Sequence, residues 1–267
     1  MKISGWWAKL VWRNRLLAYS GLCYVLLFAA LAEISFFDFT QVLGVNRWFK
    51  PMKFAISIAI FQWTMGWLMA HLQGREDTVN RISLGFVFTM LAEIVPIVGQ
   101  AARGELSHFN QSSAFGTAVF AFMGLVIVIN TLLAIYVLYL FFTTPTQLPE
   151  SYLWGIRLGL ILFILGSAEG GVMALLMRHT VGAPDGGPGL PFINWSAKAG
   201  DLRVAHALAL HALQAIPIIG YVFRRIGKRF GSIPAVVLTF AYAALYLAWA
   251  TLLFVDAIKG RPLIRFN

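Results

Sequence analysis

Seven apolar runs, each about as long as a bilayer is thick, recur along this chain and limit what it can fold into. They fall near 15–37, 52–72, 82–102, 114–142, 152–177, 202–223 and 232–256. A helix rises about 1.5 Å per residue, so about 20 residues cross the ~30 Å hydrocarbon core. Backbone groups in lipid must be paired within the segment, and a helix does this. The expectation is an all-α fold: a polytopic transmembrane helix bundle of about seven spans, one domain over 1–267. Composition agrees. Of 267 residues, 59% are hydrophobic and 12% charged, whereas soluble domains carry about 25% charged residues. The spans leave no room for a soluble domain.

The first run continues past Ala30-Leu-Ala32, which resembles a signal-cleavage site, and so reads as an uncleaved span. The single cysteine, Cys23, lies within it, which excludes an intramolecular disulfide or a cysteine-based metal cluster. The net charge of +10 sits in short loops beside spans. That placement suits lipid headgroups and argues against a nucleic-acid partner. Basic residues divide evenly between the two faces. An N-terminus on the cytoplasmic side is expected, because it places Lys2, Lys9, Arg13 and Arg15 with the densest cluster, Arg224, Arg225, Lys228 and Arg229.

Ionisable groups within spans are costly and mark candidate sites. Span six carries Arg203, His206, His211 and Gln214, within a sector of about 140° at 100° per residue. Glu33, Glu93 and Glu169 lie in other spans. Glu93 and Glu169 are each about 12 Å below the outer helix ends, and His206 and His211 about 6 and 14 Å. Glu33, Glu93, Glu169, His206 and His211 all fall in the outer half. Thr89, Glu93 and Gln100 share one face of span three, within about 40°. Lys53, Ser57 and Thr64 share a face of span two. Pro96 and Pro217 free backbone carbonyls nearby. In span five, Gly166-x-x-x-Gly170 would let a neighbouring helix pass closely.

Histidine with glutamate suggests zinc, iron or copper. The expected ligands are His206, His211, Glu93, Glu169 and His108. Glu33, Lys53, Arg203 and Gln214 are the accompanying catalytic or charge-balancing groups. His206 and His211 are five residues apart, wider than the usual chelating spacing of three or four. Other helices must therefore complete the ligand set. A b-type haem is an alternative, and bis-His ligation would have to recruit His108, His179 or His71. Phosphate-cradling motifs are absent, since 182–189 lacks the Gly-Lys-Ser/Thr ending.

Three outer loops carry the distinctive sequence: Asn46-Arg-Trp-Phe-Lys-Pro-Met-Lys53, Ser107-His-Phe-Asn110, and the Gly/Pro-rich 179–196, which reads as an ordered lid or turn-rich loop. Together with Gly200–Gln214 they resemble segments of uncharacterised bacterial multi-span membrane proteins. The resemblance implies a bacterial inner-membrane setting and no particular activity. The expected function is a metal-dependent membrane oxidoreductase or hydrolase acting on a small or lipophilic substrate. The alternative is a proton-coupled small-molecule transporter or sensor using the same groups.

Overall fold

The computed structural model describes residues 3–226 and 233–264. Lys2, Lys228, Arg229 and the expected first residue of the last span, 232, lie outside the described residues. Among those described the chain is all-α, with eight helices: α1 (Ile3–Arg13), α2 (Arg15–Phe37), α3 (Phe49–Met69), α4 (Glu76–Ala102), α5 (Ala114–Thr143), α6 (Glu150–Leu176), α7 (Leu202–Ile226) and α8 (Ala235–Ile258). Two short antiparallel ladders sit in loops, β1 (Gln41–Val42) with β2 (Val45–Asn46), and β3 (Thr180–Val181) with β4 (Gly200–Asp201).

Six helices, α2 and α4 to α8, are long and apolar enough to cross a membrane. The expected second span forms α3 but is not among them. Lys53, Gln62 and Thr64 dilute its apolar surface, and eleven of its 21 residues are buried by neighbouring protein. It is an interior helix more than a lipid-facing one. The chain divides into two compact units, one running through Leu133 and including Pro191–Asn194, the other comprising the remainder.

In the first unit α3 packs against α2 and α4. Gly21 of α2 makes the close approach possible. A side chain there would collide with the Trp63 indole, which donates to the Ala18 carbonyl at 3.0 Å. Asn14 separates α1 from α2 and caps α2, its Oδ1 accepting from the Leu17 amide at 2.9 Å. Its Nδ2 donates to Ser83 Oγ of α4 at 2.8 Å. Thr89 Oγ1 lies 2.9 Å from Asn130 Oδ1, tying α4 to the middle of α5.

In the second unit α6 and α7 meet along small residues. Gly155, Gly159, Gly166 and Gly170 fall within about 60° of one face of α6. Facing them on α7 are Ala209, Ala212, Ile216, Pro217 and, beside Gly170, the His206 ring. Gly220 of α7 in turn abuts the Ser151 carbonyl. The sequence showed the Gly166/Gly170 part of this stripe, and its extension down the whole helix is the structural finding. Tyr246 of α8 donates to the Leu208 carbonyl of α7 at 2.6 Å, completing the packing.

Candidate functional site

The polar groups that the sequence placed in one layer are shared between the two units. In the first unit the site is built at the start of α3 and the end of α4. Lys50 lies in the first turn of α3, where Pro51 costs no intrahelical hydrogen bond. After α4 the chain turns back through Gly104, at φ +73°, and a loop held by Asn110. The Asn110 amide donates to the Leu106 carbonyl at 2.9 Å, and its Oδ1 accepts from the Ser112 amide and hydroxyl. Gln100 of α4 donates to the same Leu106 carbonyl at 3.2 Å.

This loop presents His108. Phe109 beside it adopts φ +60°, a conformation costly for a non-glycine residue. The Lys50 ammonium lies 3.2 Å from His108 Nδ1, and Ser107 Oγ lies 3.1 Å from it. An ammonium can only donate, so Nδ1 accepts and the neutral imidazole carries its proton on Nε2. That nitrogen faces Glu93 Oε1 at 3.9 Å. Phe54, Phe109 and Phe120 surround the ring, with centroids 5.6 to 6.2 Å away. Glu93 is 5% exposed, and its Oε2 is buried with no hydrogen-bond partner. Thr89, Glu93 and Gln100, expected on one face, are all buried.

Below this group lies a residue that sequence reasoning missed. Gln62 of α3 is fully buried, and both its amide atoms lack partners. A polar amide in an otherwise apolar run was visible in the sequence, but only the fold shows that it is enclosed. By helical rise Glu93 lies about 14 Å from the end of α4 and Gln62 about 20 Å from the start of α3. Lys53, on the turn after Lys50, donates to the Ile193 carbonyl at 2.9 Å, and Phe49 packs on Phe192 at 5.1 Å. Glu33 is exposed on α2.

In the second unit His206 packs against α6, with Nδ1 2.7 Å from the Gly166 carbonyl. A carbonyl accepts only, so Nδ1 carries the proton and Nε2 keeps its lone pair. Glu169, on the same helix as Gly166, also has a buried Oε2 without a partner. His211 is exposed, and its Nδ1 lies 3.2 Å from Gln214 Oε1. Arg203 pairs with Asp201, making contacts of 2.9 and 2.6 Å to the two carboxylate oxygens. The Ser196 amide also donates to Asp201 at 2.7 Å. Burial alone would raise the Asp201 carboxyl, but the Arg203 hydrogen bond and charge and the Ser196 amide hold it below its ordinary value. Asp185 accepts from the Thr180 amide at 2.8 Å and lies 3.2 Å from His179 Nδ1. These two aspartates order the Gly/Pro-rich loop.

Among the described residues, no three His, Cys, Asp or Glu side chains come together in a way that could hold a metal ion. Each unit instead offers a carboxylate with one unpartnered buried oxygen, and a histidine whose tautomer is set by its neighbours. Such sites can store and release a proton. Compared with family models, curated proteins and solved structures, the chain matches none.

Proposed function

We propose that this protein is a proton-coupled carrier of a small molecule in a bacterial inner membrane. In this reading it spans seven times, with α3 as the enclosed span and the N-terminus in the cytoplasm. The observation that carries the reading is Glu93, a buried carboxylate with one oxygen unpartnered and the other facing His108. Buried polar atoms are nearly always hydrogen-bonded, so an orphan oxygen needs a reason. A proton that comes and goes is one. With Lys50 donating to Nδ1, the His108 Nε2–H faces Glu93 Oε1 at 3.9 Å; a proton given from Nε2 to Glu93 is replaced at Nδ1 from the Lys50 ammonium, which makes His108 the entry step. Gln62 lies deeper on α3, where its amide can orient a water that carries the proton on. Glu169 and His206 supply a second carboxylate and imidazole of the same chemistry.

A metal-dependent oxidoreductase or hydrolase on these residues needs at least a third ligand beside Glu93 and His108, and so is the weaker reading. Infrared difference spectroscopy of the reconstituted protein, between acid and alkaline buffer, tests the proposal. The carboxyl C=O band of the wild type should lose one component in Glu93→Gln, the remainder belonging to Glu169, and that component should move in His108→Ala. Glu33→Gln should leave it unchanged. An identical band in wild type and Glu93→Gln would overturn the assignment.

A further inference from the structure

A groove of about 1030 Å³ runs along the first unit between α2 and α4. Its one charged group and its two amides lie at one end, at the start of both helices. Arg15 is the only charged residue in its lining, and Asn80 lies near it. Both are exposed. Asn14 beside them is already committed to the Leu17 amide and Ser83. Beyond this end the α4 wall is apolar, formed by Val87, Leu91, Val95 and Val98. Among the described residues no carboxylate lines the groove, so the one charge in its lining is positive.

The dimensions match one class of molecule. Asn80 to Val98 is eighteen residues, about 27 Å of helix, close to the thickness of the hydrocarbon core. An acyl chain anchored at the Arg15 end therefore finds apolar wall to the bilayer mid-plane and beyond. Each methylene taken up contributes about 0.8 kcal/mol relative to water, but almost nothing relative to bulk lipid. Selection must therefore come from the headgroup. An arginine beside an amide provides donors suited to phosphate oxygens.

We infer that the α2/α4 groove is a binding site for an anionic phospholipid, its phosphate held by Arg15 and Asn80 and one acyl chain lying along Leu91, Val95 and Val98. A helix of another copy would fill the apolar wall but would leave Arg15 without an anion. Charge complementarity therefore favours the lipid. This site is independent of the proton-exchange reading.

The test is thermal unfolding of the full chain in detergent with added phosphatidylglycerol, phosphatidylcholine or inorganic phosphate, alongside native mass spectrometry. Phosphatidylglycerol should raise the melting temperature by several degrees more than phosphatidylcholine. The advantage should vanish in Arg15→Gln and persist in Arg178→Gln, a basic site outside the groove. Val95→Trp, which fills the groove, should reduce retained phosphatidylglycerol at least threefold while leaving the basal melting temperature within a few degrees. Three outcomes overturn the proposal: an equal advantage in Arg15→Gln and wild type, an equal shift by inorganic phosphate alone, or a lipid-free dimer as the retained species.

Discussion

Gly166→Ala puts the glycine interface of α6 and α7 to a quantitative test. A Cβ built at Gly166 lies 2.7 Å from Ala209 Cβ and 3.0 Å from both the Ala209 carbonyl carbon and the Leu210 nitrogen. Carbon atoms prefer about 3.5 to 4.0 Å, so the helices must part by roughly 1 Å. Two of the three obstacles are backbone, which cannot rotate away. Overpacking of this kind costs about 1 to 3 kcal/mol. Alanine recovers up to about 1 kcal/mol of helix propensity, leaving a net loss of about 2 kcal/mol at the upper end. At roughly 2 to 4 °C per kcal/mol, the melting temperature should fall by about 4 to 8 °C. The same substitution at Gly171, four residues past Ser167 on the same helix, meets nothing within 4 Å. There it should leave the melting temperature unchanged or raise it by a few degrees. Adding Ala209→Gly to Gly166→Ala removes the 2.7 Å conflict but not the backbone ones, so rescue should be partial. The assay is thermal unfolding in one detergent for all four proteins. Equal behaviour of Gly166→Ala and Gly171→Ala would refute the packing account.

Two further outcomes follow from single residues. Asn14→Ala removes both the cap on the Leu17 amide and the bond to Ser83, and should cost about 2 kcal/mol, read as a lower melting temperature. Acid should loosen the loop held by Asp201, because a depressed carboxyl contributes stability above its unfolded value, 3.8, and loses it as pH falls through the lower folded value. Limited proteolysis within 182–199 should therefore accelerate below about pH 4, and Asp201→Asn should show the faster cleavage already at pH 7.

Much of the fold was legible because lipid imposes a strong rule on length and polarity. The expected first span, 15–37, coincides with α2, and the fourth, 114–142, falls one residue short of α5. α3 was harder. Its residues are apolar enough to suggest a span, but Gln62 makes sense only once it is seen enclosed, and Lys53 only once the Ile193 carbonyl is found beside it. The loop aspartates were also out of reach. Asp185 and Asp201 bond to backbone amides at distances in sequence that no period announces.

The polar layer shows where helical angle succeeds and where it fails. On α4, Thr89, Glu93 and Gln100 share a narrow face, and all three are buried, Thr89 against Asn130 of α5 and the other two towards the loop of Leu106 and His108. On α7 the polar sector is about 140° wide, and width alone cannot say which edge is covered. What decides it is the small-residue stripe. Ala205, Ala209, Ala212, Ile216 and Gly220 fall within about 80°, and all five are buried. His206 lies about 80° from the centre of that stripe, near enough to reach the Gly166 carbonyl. His211 lies about 140° away and is exposed. Glycines on α6 thus choose the face of α7 that is covered, and through it which histidine packs against α6. The two histidines stand five residues apart on one helix, yet they have different environments. A shared ligand role for them would require α7 to turn against the stripe that fixes it, so the half-buried His206, held on the Gly166 carbonyl, and the exposed His211 are best treated as separate groups.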